Sequence, residues 1–378
     1  MKILADENIP QVKEAFSQFG EVKLTHGRYI SNEMLKEIDI LVVRSITNVN
    51  GELLDKTNVK IVGTATIGTD HIDKEYLKSQ NVFFADAAGC NSFSVAEYVI
   101  AALTNIFIQK NKSFEDNKIG VVGFGNIGTK IVRFAQALGF KTIINDPPLE
   151  RKLGKGNFRQ LKDALNCDVV TFHVPLNKSG IDNTYYLLNE ENLDLIKPGT
   201  LLINTSRGPV VKNSILKNRL FDKKDINVVF DVWENEPNID LQLLELADIG
   251  TAHIAGYSLE GKLNGSYFIY KKLCEQFNIN AKWQPVYPEI SEPMIEIDSR
   301  QEVVEILFEI CKRIYDINFD SQLLKKSVIQ NVEEPGKYFD QLRKTYRVRR
   351  EFNNYTIKLS SPDERLKSKL ETLRFKVI

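Results

Sequence analysis

The chain has 378 residues, room for two or three domains at roughly 100–200 residues each, and an ordinary apolar share of 43%. Fifty Lys and Arg balance fifty Asp and Glu, so the basic excess with which a nucleic-acid binder neutralises phosphates is missing. Cys90, Cys167, Cys274 and Cys311 stand far apart, which speaks against a zinc site or a disulfide scaffold. The absence of a signal-peptide core and of an apolar run of ~18 residues makes the cytosol, away from membranes, the expected location.

Residues 2–5, 40–43 and 60–63 are short apolar runs of strand length, and 9–19 is an amphipathic stretch between two of them; such alternation predicts a parallel sheet. Residues 94–109, rich in Ala, Val and Ile, predict one long helix after the break at Gly89. From Lys118 the pattern restarts, with apolar runs at 119–122, 141–144, 169–172, 201–204 and 227–230. That succession predicts a doubly wound nucleotide-binding domain. Residues 283–293 hold Pro285, Pro288 and Pro293 and predict a linker. Beyond it, 302–315 reads as an amphipathic helix and 354–359 as a strand of a separate small domain. The basic cluster at 343–350 reads as solvated surface.

Gly123-Phe-Gly125-Asn-Ile-Gly128 follows the apolar run 119–122 and opens the helical stretch 129–138. A Gly-x-Gly-x-x-Gly alone is a weak signal; between a strand and a helix it is a strong one. Gly123 permits the tight turn, Gly125 lets a pyrophosphate approach the backbone, and Gly128 lets helix and strand pack closely. The helix N-terminus offers free amides and partial positive charge to the phosphates. Asp146, 18 residues beyond Gly128 at the end of the next run, suits ribose hydroxyls and repels a 2′-phosphate, which predicts NAD rather than NADP.

Three further polar residues stand at the ends of later runs: Arg207 in Asn-Thr-Ser-Arg-Gly, Glu236 in Trp-Glu-Asn-Glu-Pro, and His253 in Ala-His-Ile-Ala-Gly. Strand carboxyl ends line the ligand crevice of an open parallel sheet, so one cleft is predicted for all three. Oxidising a hydroxy acid removes a proton from oxygen and a hydride from carbon. A histidine takes such a proton near neutrality, a paired carboxylate fixes its tautomer, and an arginine grips a carboxylate with two parallel hydrogen bonds. Of the other histidines, His26 lies in a turn-like segment, His71 reads as a neighbour of a helix cap, and His173 as lining the cofactor cleft without acting. The residues leave open which acid is oxidised, with 3-phosphoglycerate and glycerate among the choices, and whether the fold serves as a non-catalytic NAD-sensing scaffold.

From the N-terminus to about residue 280 these motifs, in this order and spacing, resemble the D-isomer-specific 2-hydroxyacid dehydrogenases. The segments 5–10, 43–47, 63–73, 146–148, 253–262 and 342–351 are similar to a branch of that family. That branch oxidises 4-phospho-D-erythronate to 3-hydroxy-2-oxo-4-phosphobutanoate on the bacterial route to pyridoxal 5′-phosphate. The resemblance implies catalysis by Arg207, Glu236 and His253. It implies substrate contacts at Ser45, Thr66 and Tyr257, with Arg44, Lys262 and the Tyr257–Ser258 turn as candidates for a phosphate. Cofactor contacts are implied at Gly123, Gly125, Asn126, Ile127, Gly128, Asp146, Val174, Ser206, Arg207, Gly208, Asp231 and Gly256, and no metal.

The fold implied is α/β: a two-lobed, doubly wound, parallel-sheet (Rossmann-type) dehydrogenase with an added C-terminal α+β dimerisation domain. The outer lobe would comprise 1–94 plus 253–280, the NAD-binding domain 95–252, and the dimerisation domain of a homodimer 281–378.

Overall fold

Short aliphatic runs become the strands of three all-parallel sheets in the computed structural model, which describes residues 1–154, 156–330 and 332–378. The chain divides into two units, one of Met1–Ser92 with Ser258–Glu289, the other of Phe93–Tyr257 with Ile290–Ile378.

The first unit holds strands β1 (Lys2–Asp6), β2 (Glu21–Thr25), β3 (Ile40–Val43), β4 (Ile61–Thr64) and β5 (Phe83–Asp86), in the order β2-β1-β3-β4-β5. The central strand β3 is buried along its whole length, as befits a parallel strand covered on both faces. On one face Ile3, Ala5 and Val42 pack with Ile269, Tyr270 and Leu273 of the helix Leu259–Gln276. On the other, Leu4, Leu41, Val43 and Val62 pack with Leu35 and Leu77. The stretch 9–19 forms a helix only over Val12–Phe16, because Gln11 takes a left-handed φ of 51° just before it.

The second unit is built on β6 (Lys118–Val122), β7 (Lys141–Asn145), β8 (Val169–Phe172), β9 (Leu201–Asn204), β10 (Asn227–Phe230) and β11 (Ile249–Gly250). Their order is β11-β10-β9-β8-β6-β7, so the winding reverses between β6 and β8. Such a switch point opens a crevice at the strand carboxyl ends. The helix Ser92–Gln109 is long and apolar enough to cross a membrane, but 83% of it is buried inside the protein, where it serves as a core helix.

Residues 279–290 carry no regular structure, after which β12 (Met294–Ile297), β13 (Thr356–Leu359) and β14 (Lys376–Val377) form a three-stranded parallel sheet. The proline-rich stretch marks a connection, but the C-terminal segment beyond it shares a core with the nucleotide sheet. Ile295, Ile306, Ile310, Phe352 and Ile357 pack in one cluster with Tyr98, Ile131 and Phe134.

A buried ion network bolts this C-terminal segment down. Arg374 Nη1 lies 3.0 Å from Glu97 and 2.7 Å from Glu351, while Ser94 Oγ donates to Glu351 at 3.0 Å. Burial and the neighbouring Glu351 carboxylate push the Glu97 carboxyl well above its usual range, against the pull of Arg374. A carboxyl raised in the folded state holds its proton more tightly there, so its ionisation costs stability as pH rises above the unfolded value of about 4.3. Glu97→Gln removes that cost. Its Tm is expected to fall less than that of the wild type between about pH 5 and about pH 8; thermal unfolding curves running parallel would refute the assignment.

Candidate active site

The loop between β6 and the helix Gly128–Ala137 shows why its glycines are needed. Gly123 sits at φ 95°, and a Cβ there would lie 2.5 Å from the carbonyl oxygen of His173. A Cβ on Gly128 would come within 2.0 Å of the carbonyl oxygen of Gly123, so the helix start rests directly on the loop. Around Gly125 a Cβ would meet nothing within 4 Å. Its lack of a side chain answers to no packing inside the protein and suits the approach of a ligand to the backbone. The amides of Thr129, Lys130 and Ile131 are bonded back to the carbonyls of Gly125 and Ile127, so it is the loop ahead of them, at the positive end of the helix, that suits phosphate oxygens.

Asp146 stands at the end of β7 and works on both sides of that loop. Oδ1 accepts from the amide of Leu149 at 2.9 Å, capping the helix Pro147–Leu153, and Oδ2 accepts from the amide of Phe124 at 2.7 Å. Each carboxylate oxygen keeps a further lone pair, so this anchoring leaves acceptor capacity for hydroxyl donors. Val174 lies against the same turn, its Cγ1 3.0 Å from the Cβ position of Gly123.

Beyond β9 the chain turns sharply at 205–208. Asn204 organises the turn: its Oδ1 accepts from the amide and hydroxyl of Ser206 at 3.1 and 2.8 Å, and its Nδ2 donates to the carbonyl of Arg207 at 3.0 Å. Arg207 donates from Nη1 to the carbonyl of Ser206 at 2.7 Å and stays half-buried. Gly208 has no room for a side chain, since a Cβ would fall 1.9 Å from the Trp233 backbone.

Asp231, just past β10, holds the next loop. Its carboxylate is 1% exposed. It accepts from Thr251 Oγ1 at 2.6 Å, the amide of Ile254 at 2.7 Å and the amide of Ala255 at 2.9 Å, while its carbonyl accepts from the amide of His253 at 2.8 Å. These bonds hold His253 at a left-handed φ of 55°, a conformation that costs a non-glycine residue on the order of 1–3 kcal/mol. The imidazole is thereby aimed at Glu236.

His253 Nδ1 lies 2.7 Å from Glu236 Oε2, and Glu236 Oε1 accepts from the amide of Trp233 at 2.8 Å. A carboxylate can only accept, so Nδ1 carries the proton and Nε2 is the free nitrogen. Burial works against the charge on Glu236, but His253, the Trp233 amide and Arg343 outweigh it and hold the carboxyl below its usual range. The side chains remain 32% and 20% exposed, so the pair is sheltered yet reachable. His173 behaves differently. Its two ring nitrogens meet Thr171 Oγ1 at 2.7 Å and Thr205 Oγ1 at 3.2 Å, and burial pushes its pKa down to about 3. It stays neutral at physiological pH.

The glycine loop, Asp146, Val174, Ser206, Arg207, Gly208, Asp231, Glu236, His253, Gly256 and Tyr257 all belong to the second unit, most of them in loops at strand carboxyl ends. Ser45 and Thr66 belong to the first unit, in the loops after β3 and β4. Thr64 Oγ1 bonds both Thr66 Oγ1, at 2.9 Å, and His71 Nε2, at 3.0 Å. His71 is therefore no cap neighbour; the cap of the following helix is Asp73, which accepts from the amide of Tyr76. Arg44 is tied to buried Asp6 at 2.9 Å and remains 30% exposed.

The basic cluster at 343–350 is not uniformly solvated surface. Lys344 and Arg347 are exposed, but Arg349 is buried against the carbonyls of Ser94 and Ala255, and Arg343 donates to the Tyr257 hydroxyl at 3.1 Å. All four cysteines are buried. Among the described residues no group of three His, Cys, Asp or Glu is placed to hold a metal ion.

Comparison with known proteins gives this geometry a context. Residues 105–255 match the family model described as D-isomer specific 2-hydroxyacid dehydrogenase, NAD binding domain, and 288–373 match a domain of unknown function, DUF3410. The erythronate-4-phosphate dehydrogenase of Proteus mirabilis (strain HI4320) is 42% identical over 369 residues, 96% of each chain. That of Pseudomonas fluorescens (strain SBW25) is 36% identical over 377 residues, 99% of each. Among solved structures, D-lactate dehydrogenase from Aquifex aeolicus, complexed with NAD and lactic acid, is similar with a TM-score of 0.58 at 24% identity, over 74% of this chain and 96% of that one. The NAD⁺-bound 3-phosphoglycerate dehydrogenase of Entamoeba histolytica is similar with a TM-score of 0.62 at 22% identity, over 74% and 95%. At these identities the solved structures speak for the fold alone.

Proposed function

The chain belongs to the D-isomer-specific 2-hydroxyacid dehydrogenases, in the group named erythronate-4-phosphate dehydrogenase, and from that premise we propose that it oxidises 4-phospho-D-erythronate to 3-hydroxy-2-oxo-4-phosphobutanoate, a step toward pyridoxal 5′-phosphate. The observation that carries the chemistry is the His253–Glu236 pair at 2.7 Å, in the same unit as a complete dinucleotide loop.

Bound NAD supplies the hydride acceptor. The glycine loop from Gly123 to Gly128, with the amides of Asn126 and Ile127, would hold its phosphates, and Asp146 would accept from its ribose hydroxyls. Val174, Ser206, Gly208, Asp231 and Gly256 complete its bed, and Arg207 borders it. His253 Nε2 accepts the proton of the C2 hydroxyl as the C2 hydride departs, which leaves a carbonyl at C2 and an imidazolium beside Glu236. Glu236 holds the ring in the productive tautomer and stabilises that imidazolium. Arg207 fixes the C1 carboxylate through charge-assisted hydrogen bonds. Ser45, Thr66 and Tyr257 contact the substrate; the first two sit where loops leave strand carboxyl ends, the usual ligand edge of such a sheet.

The domain division goes with this reading: an outer lobe of 1–94 plus 253–280, an NAD-binding domain of 95–252, and a dimerisation domain of 281–378 in a cytosolic homodimer. The family resemblance of the motifs supports it.

The test is NADH formation in a single turnover, followed by absorbance, with 4-phospho-D-erythronate beside D-3-phosphoglycerate and D-glycerate, and with NADP replacing NAD in parallel. A burst is expected with 4-phospho-D-erythronate and NAD. A burst with another acid in its place would reassign the substrate, and none with any acid would favour a sensing scaffold.

A further inference from the structure

Arg343 is the last but one residue of the helix Pro335–Lys344, within the stretch matched by the domain of unknown function. That helix brings it to the neighbourhood of the reacting histidine. Nη2 donates to the Tyr257 hydroxyl at 3.1 Å, and the guanidinium lies 5.8 Å from the centre of the Tyr257 ring. Tyr257 is four residues beyond His253. Glu236, the partner of His253, feels the same guanidinium, which helps hold its carboxyl ionised.

This cation is poorly matched by the protein. Its Nε is buried with no hydrogen-bond partner, and its ion-pair partner on the same helix, Asp340, is 3.9 Å away. The side chain is only 25% exposed, so water satisfies it incompletely. A sheltered guanidinium in this condition gains from an anion more than a solvated one does. Arg374, by contrast, is spent on the buried carboxylates of Glu97 and Glu351, and Arg349 is turned onto the buried carbonyls of Ser94 and Ala255.

The substrate class supplies such an anion at the right range. In a four-carbon 2-hydroxy acid phosphorylated on C4, the phosphorus lies roughly 5–6 Å from C2, the span of four bonds of about 1.5 Å. An arginine one side chain removed from the His253–Glu236 pair is where that phosphate arrives when C2 faces His253. We propose that Arg343 is a substrate-binding residue that holds the terminal phosphate, together with the Tyr257 hydroxyl, so that the C-terminal segment sets the preference for a phosphorylated acid. The proposal rests on the oxidation of 4-phospho-D-erythronate assigned above.

The experiment uses the full-length protein and the variants Arg343→Gln and Arg343→Lys, both checked for wild-type Tm. Initial rates are measured with 4-phospho-D-erythronate and with D-erythronate, and inorganic phosphate is titrated by calorimetry. For Arg343→Gln, kcat/KM with the phosphorylated acid should fall about 10- to 100-fold, mainly through KM, the usual worth of hydrogen bonds to a charged group. The loss with D-erythronate should be clearly smaller, limited to what Glu236 loses when the neighbouring cation goes, and binding of inorganic phosphate should weaken, while Arg343→Lys keeps the charge and loses less. Equal losses with both acids, or unchanged phosphate binding, would overturn the proposal. Should the wild type oxidise neither acid, the assigned reaction fails, and the calorimetric comparison of wild type with Arg343→Gln still decides whether Arg343 is an anion site.

Discussion

His253→Ala is expected to lower kcat by about 10²–10⁴, the usual contribution of a positioned general base, while dinucleotide binding stays within a few-fold of wild type. The expectation comes from geometry. Glu236 occupies Nδ1, so Nε2 is the only ring nitrogen left to take a proton, and no other described histidine can substitute for it. His173 has both nitrogens on threonine hydroxyls and a pKa pushed down to about 3, so it takes up no proton at physiological pH. His71 belongs to the first unit, bonded to Thr64. The glycine loop and Asp146 do not contact the removed ring, which is why binding and turnover should separate. Glu236→Gln serves as the companion: an amide oxygen still accepts from Nδ1, so the ring stays oriented, but the charge facing the imidazolium is gone. It should cost less than His253→Ala. Stopped-flow turnover with fluorescence titration of the dinucleotide measures both, and near-wild-type kcat in His253→Ala would remove His253 from the chemistry.

The parts of this arrangement legible in the sequence are the local ones. Strands β3, β8 and β9 are buried over their whole length, so each appears as an unbroken apolar run. Strand β2, Glu21–Thr25, has no buried residue and lies at the sheet edge, and β11 and β14 have two residues each; none leaves a run to read. Arg207 and Glu236 are legible because each comes after an apolar run, His253 by its Ala-His-Ile-Ala-Gly segment, and the glycine loop because its spacing is a property of neighbours in sequence. Asp231 enters only through the family resemblance, as a cofactor contact, and not as the anchor of the His253 loop, since its partners Ile254 and Ala255 lie 23 and 24 residues on. The sequence places Asp146 for ribose hydroxyls, whereas its bonds to Phe124 and Leu149 depend on the loop and helix meeting across the sheet end. Arg343 was hidden most thoroughly. A run of basic residues ordinarily reads as solvated surface, and only the folded helix shows that one member turns toward Tyr257, 86 residues away.

Asp231→Ala is expected to damage both the fold and the reaction. The buried carboxylate satisfies the amides of Ile254 and Ala255 and the Thr251 hydroxyl, and alanine offers no acceptor to any of them. Two stranded amides at about 1–3 kcal/mol each amount to roughly 2–6 kcal/mol, which lowers Tm on the order of 10 °C for a unit of this size. The effect on turnover comes by a different route. The left-handed φ of His253 is sustained by bonds on both sides of it, from its own amide to the Asp231 carbonyl and from the next amide to the Asp231 carboxylate. With the carboxylate removed, the backbone bond and the side-chain bond to Glu236 alone oppose relaxation of a conformation that costs about 1–3 kcal/mol, and the ring is held less firmly against Glu236. A displacement of that kind in a general base is felt in kcat well before it is felt in dinucleotide affinity. Asp231→Asn distinguishes the two routes, because its single amide oxygen can still serve one loop amide while its NH₂ group faces the other donors. Its kcat should therefore fall between wild type and alanine, with a smaller loss of Tm. Thermal unfolding and steady-state rates on the three proteins give the answer. Wild-type Tm and kcat in Asp231→Ala would mean that the loop is held in place by its packing and that Asp231 merely fills the space beneath it.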